Sequence, residues 1–152
     1  MTWAEYKRTM AAPEPIFDDI RGGDLLLVEI FIGNGGDVNM RNHNGYSLLM
    51  LAAYGGHLDI CELLLDNGAD ANSADLGGNS ILMGASFKGY LDIVKLLLSY
   101  GADAEHRNDR GLTALDFAKA FGRQEIVAIL AKRPLEWRDR LAFFKFFGRS
   151  KN

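Results

Sequence analysis

One cysteine, Cys61, is the only thiol in this 152-residue chain, so no disulfide can form within it. Long apolar runs are missing as well, and none approaches the roughly 18 residues needed to span a bilayer. The first fifteen residues, MTWAEYKRTMAAPEP, lack the apolar centre of a secretory signal. Cytoplasmic residence is the resulting expectation. Catalytic constellations are equally scarce. The three histidines, His43, His57 and His106, stand apart, with no zinc-ligand spacing and no HExxH helix around them. Gly33-Asn34-Gly35-Gly36 has the glycine content of a phosphate-cradling loop and none of its other residues. Acidic residues are scattered, with no pair placed for acid/base work. The expectation is a protein that is not an enzyme, needs no cofactor and holds no metal.

Charge narrows the classes further. The net charge of -3 makes no case for nucleic acid as a partner. The distribution is uneven, however. Residues 132–152 hold 7 Lys+Arg against 2 Asp+Glu, whereas the rest of the chain holds 10 against 18. An acidic body with a basic end is common among interaction proteins and names no partner.

What the sequence does contain is repetition. Gly35, Gly68 and Gly101 are spaced 33 residues apart. The same interval relates Asp37, Asp70 and Asp103, then Gly45, Gly78 and Gly111, then Leu49, Leu82 and Leu115. Ala52, Ala85 and Ala118 keep it too, as do Gly56, Gly89 and Gly122, and Ile60, Ile93 and Ile126. A period of this length predicts stacked units, none of which buries its apolar face alone. Each unit reads as a loop, a helix, a glycine reversal and a second helix. Ser47, Ser80 and Thr113 are placed to cap the first helices. Asp59, Asp92 and Glu125 suit the positive end of the second ones. Cys61 falls in the column of Val94 and Val127, which predicts a buried thiol that behaves like valine.

The segments GYSLLMLAAYGGHLDICELLLDNGADAN, GNSILMGASFKGYLDIVKLLLSYGADAE and GLTALDFAKAFGRQEIVAIL closely resemble ankyrin repeats. A degenerate unit precedes them in PIFDDIRGGDLLLVEIFIGNGGDVN, where Asp18 and Asp19 replace the small residues of the first helix. That suits a terminal unit whose outer face meets water. The expected fold is an all-α repeat solenoid of three full repeats behind a capping repeat, with a C-terminal tail. Residues 15–133 form the array, divided as 15–36, 37–69, 70–102 and 103–133. Residues 1–14 form an N-terminal helix and linker, and 134–152 the tail. One departure stands out. The family's Thr-Pro-Leu-His stretch reads Ser47-Leu48-Leu49-Met50 and Ser80-Ile81-Leu82-Met83 here. Methionine cannot donate the hydrogen bonds that the family histidine uses to link neighbouring turns.

The resemblance implies a non-enzymatic protein-interaction module with a concave face made of loop tips and first helices. Position by position, that face takes Arg41, His43, Tyr46 and Tyr54 from the first full repeat. It takes Leu76, Asn79, Phe87 and Lys88 from the second, and Arg107, Arg110, Leu112 and Phe121 from the third. Tyr46, Tyr54, Phe87 and Phe121 are the expected anchors for an unidentified protein partner, since exposed aromatics frequently fill that role. The competing expectation is that these rings pack over neighbouring helices. The basic aromatic tail, PLEWRDRLAFFKFFGRSKN, offers a second contact surface through Trp137, Leu141, Phe143, Phe144 and Phe147. Three readings fit it: a cap on the last repeat, a contact for a partner or a second copy of the chain, and a peripheral anchor on an anionic membrane surface.

Overall fold

The computed structural model describes residues 15–132. The expected N-terminal helix and the tail residues Trp137, Leu141, Phe143, Phe144 and Phe147 lie outside them. Among the described residues the chain forms eight helices in four pairs and no strand longer than an isolated bridge. The pairs are α1 (Ile16–Gly22) with α2 (Leu25–Gly33), α3 (Leu48–Gly55) with α4 (Leu58–Asp66), α5 (Ile81–Lys88) with α6 (Leu91–Ser99), and α7 (Ala114–Ala120) with α8 (Gln124–Ala131). The architecture is an all-α repeat solenoid.

Local chemistry starts each first helix. The Ser47 hydroxyl accepts from the backbone N–H of Met50 at 3.1 Å, which satisfies one of the donors left free at a helix start. Ser80 accepts from Met83 N–H at 3.2 Å. Thr113 accepts from Asp116 N–H, and Asp116 Oδ2 accepts in turn from the Thr113 backbone at 2.9 Å, a reciprocal box. The reversals after α3 and α5 pass through Gly56 and Gly89 at φ 76° and 84°, a conformation that costs other residues energy.

Packing follows the repeat. The first helices α1, α3, α5 and α7 lie side by side in one layer, and α2, α4, α6 and α8 form a second, more widely spaced layer. The stack therefore curves, with the first helices on the inner side. Leu49, Leu82, Ala52, Ala85 and Ala118 are buried between first helices, and Ile60, Ile93, Leu64 and Leu97 between the layers. Cys61 is completely buried in that core. Burial pushes its thiol up to about 12, with the charges of Asp59 and Glu62 adding to the effect. In the first unit, Asp18 is exposed and pairs with Arg21 at 2.8 Å. An ion pair this open to water adds little stability.

Loops between repeats are stitched by side chains other than the family histidine. Asn39 donates to Gly68 O at 3.1 Å and accepts from Asp70 N–H at 2.8 Å. Asn72 repeats the pattern one unit on, with Gly101 O and Asp103 N–H. Ser47 and Ser73 share a buried hydroxyl bond of 2.8 Å, and His106 Nε2 donates to Gly78 O at 2.7 Å. At the place of the absent histidine, Met83 acts as an acceptor. Its sulfur lies 3.4 Å from the Ser80 backbone nitrogen.

Candidate partner-binding face

On the inner side, the helix carrying Tyr54 packs against the helix carrying Gly84. Leu51 and Phe117 fill the column of Gly84 in the adjacent repeats, so the middle repeat lacks a side chain there. The Tyr54 ring occupies part of the space. A Cβ on Gly84 would lie 2.6 Å from Tyr54 Cζ and 2.9 Å from its hydroxyl oxygen. Beside the ring an open cavity of ≈ 230 Å³ remains, lined by Tyr54, Asn79, Met83, Gly84, Phe87 and Phe117. The Tyr54 phenol is held above its usual pKa by burial first, then by the charges of Asp75 and Tyr46.

Phe87 forms the next part of the face. Its ring meets that of Phe121 edge-on, with centroids 4.5 Å apart and an interplanar angle of 84°. Such a contact adds roughly 0.5–1.5 kcal/mol beyond area burial, so Phe87 is held in place while half of Phe121 stays exposed (50%). Lys88 is exposed, with Nζ 5.9 Å from the Phe87 centroid. Arg123 Nε donates to Phe87 O at 3.1 Å. At the loop tips, Leu76 is 80% exposed and Leu112 38%. Leu76 lies over Gly45 of the preceding loop.

The sequence-derived residues divide into two groups. Tyr54, Asn79 and Phe87 line one cavity, and Phe121 and Lys88 border it through Phe87. Leu76, Leu112, His43 and Arg110 are exposed at the loop tips. Others are committed to the scaffold. Arg41 Nη1 donates to Gly45 O at 3.0 Å and to Ala74 O at 2.6 Å, bridging two loops. Arg107 Nη1 donates to Gly111 O at 2.8 Å within its own loop. Tyr46 is half-buried against the core. The Asn79 amide is occupied at both ends, donating to Asp75 and accepting from Asn108. Sequence reasoning missed Met83, Gly84 and Phe117. The Leu51, Gly84, Phe117 column carried the signal, a gap in an otherwise bulky position.

His57 and His106 help hold the scaffold together. His57 Nε2 donates to Arg21 O at 3.2 Å, with its ring over Gly23 and Gly55. Tyr90 and Arg123 stack over Gly56 and Gly89 at the equivalent places. Among the described residues, no group of three or more His, Cys, Asp or Glu side chains is placed to hold a metal ion. None of the described helices is long and apolar enough to cross a membrane.

A sequence model of ankyrin repeats matches residues 19–108 in three copies. The chain belongs to the ankyrin-repeat family. Ankyrin repeats are generally protein-protein interaction modules and typically non-enzymatic. A search of curated proteins gave no match. Ankyrin repeats thus account for the period, the glycine reversals and the curved stack, and the specific features of this chain lie in the columns where its repeats differ.

Proposed function

We propose that this ankyrin-repeat chain is a binding module, an adaptor or accessory factor, that holds a protein partner against its inner face. One observation carries the proposal. Three of the large exposed apolar side chains, Leu76, Leu112 and Phe121, belong to that face, and Phe121 packs on Phe87 at the edge of a cavity lined by Tyr54, Phe87 and Phe117, while Leu26 and Ile30 are exposed on the second-helix layer. Exposed apolar groups grouped around a concavity mark interaction sites, whereas single ones need no explanation. The anchors in this proposal are Tyr54, Phe87 and Phe121, with Leu76, Leu112, His43, Lys88 and Arg110 around them. Tyr46, Asn79, Arg41 and Arg107 support the face by fixing the loops that present it. The array of residues 15–133 acts as a rigid frame, so little ordering entropy is lost on binding. Cytoplasmic residence belongs to the same proposal.

The test is quantitative affinity capture from the source cells, comparing the wild-type chain with a Tyr54→Ala/Phe87→Ala variant. Circular dichroism confirms that the variant is folded. A partner enriched by the wild type and lost by the variant supports the inner face. Equal recovery of the same partner by both proteins overturns it.

A further inference from the structure

We propose that the Gly84 cavity is a specificity pocket for one apolar side chain, aromatic or branched aliphatic, of a partner segment that carries a carboxylate beside that anchor. The inference rests on the inner-face reading above and names the partner chemistry.

Size argues for the anchor. A cavity of about 150 Å³ holds a benzene ring, and this one measures ≈ 230 Å³ and is open to the surface. It therefore admits one large apolar side chain and not two. Its lining is mainly aromatic and thioether, with Asn79 and the Tyr54 hydroxyl as polar members, and the Asn79 amide is already hydrogen-bonded at both ends. The Tyr54 hydroxyl is thus the one polar group that an otherwise apolar wall offers to an occupant. The glycine is what makes the space. A leucine there, as at position 51, would take up the space and also displace the Tyr54 ring, which lies 2.6 Å from where the leucine Cβ would stand.

Charge argues for the neighbouring carboxylate. Next to the Phe87 wall of the cavity stand the Lys88 ammonium, 5.9 Å from the Phe87 centroid, and the Arg123 side chain, whose Nε donates to Phe87 O. Among the described residues neither forms an ion pair. The opposite end holds Asp75, whose carboxylate is engaged by the N–H groups of Gly77 and Asn79. By contrast, the second-helix layer carries exposed Asp59, Glu62, Asp66, Asp92 and Glu125. An acidic segment is thus repelled from the outer layer and drawn to the Phe87 end of the pocket, which orients it.

The experiment uses the full chain and a displayed library of random twelve-residue peptides. Selected peptides are synthesised and titrated by fluorescence against wild type, Gly84→Leu and Lys88→Glu. Replacing the anchor of a selected peptide with alanine should weaken binding at least about tenfold, the scale of burying one large apolar side chain. Gly84→Leu, which closes the pocket by displacing the Tyr54 ring as well as by filling the space, should cost at least as much, with helical content checked by circular dichroism. Lys88→Glu, an exposed change that leaves the core intact, should weaken the acidic peptides about threefold and favour versions with lysine beside the anchor. Peptides that lose binding with Leu76→Ala/Phe121→Ala yet ignore Gly84→Leu and Lys88→Glu would overturn the pocket and leave the inner-face reading standing. Enrichment of no peptides, or only of peptides indifferent to all these variants, would overturn both.

Discussion

Leu97→Ala should destabilise the array more than the same change at Leu130, although the two leucines hold the same place in consecutive repeats. Leu97 in α6 is completely buried, with α4 on one side and α8 on the other. Leu130 in α8 is 7% exposed. Truncation to alanine removes three carbons, and at about 0.8 kcal/mol each the transfer loss alone is about 2.4 kcal/mol. At Leu97 the cavity is enclosed by neighbours on both sides and cannot collapse, so the cost rises to about 4 kcal/mol, within the range for such cavities. At Leu130 only one second-layer helix, α6, walls the cavity among the described residues, so more relaxation is expected there and a cost of about 2.5 kcal/mol. Urea unfolding followed by circular dichroism reads the difference. With a slope of about 1.5 kcal/mol/M, the midpoint falls by about 2.7 M for Leu97→Ala and about 1.7 M for Leu130→Ala. Equal midpoints, or the reverse order, would refute the view that stability comes from stacking on two neighbours.

Three further outcomes follow from particular contacts. Asn72→Ala removes both bonds to the next loop and should cost about 1–2 kcal/mol, whereas Glu105→Ala, in the same column, should change the urea midpoint little. Cys61 should resist iodoacetamide at pH 8 in the native state and react once unfolded. Because its folded pKa of about 12 lies above the ordinary thiol value, its contribution is complete below about pH 8.5 and fades as pH rises toward 12; Cys61→Val should remove that alkaline loss. Asp116 behaves in the opposite sense. Hydrogen bonds from the Thr113 backbone and hydroxyl lower its carboxyl pKa, so its contribution is present above the ordinary carboxylate pKa and lost as pH falls through the lowered value. Thr113→Ala should reduce that acid dependence and cost about 1 kcal/mol at neutral pH.

The contrast between sequence and structure has a physical pattern. The N-caps at Ser47, Ser80 and Thr113 were legible because each joins a side chain to a backbone group three residues away. The buried state of Cys61 was legible from its valine column. The Asn39 and Asn72 ladder was not, since its partners lie 29 to 31 residues away and the bonds exist only once repeats stack. The role of Arg41 was equally hidden: its position on the inner face follows from the repeat, and the direction of its guanidinium from the carbonyls of Gly45 and Ala74. Gly84 shows the sharpest limit. Glycine in a helix reads from sequence as a small loss of stability, while its consequence, the seat of the Tyr54 ring and the cavity beside it, depends on the adjacent repeat.

Hydrogen exchange of the full chain, free and bound to its captured partner, tests the inner-face assignment most directly. Protection is expected at the loop tips around Leu76 and Leu112 and in α3, α5 and α7, with α4, α6 and α8 unchanged. Protection confined to the second-helix layer or to residues 133–152 would contradict it.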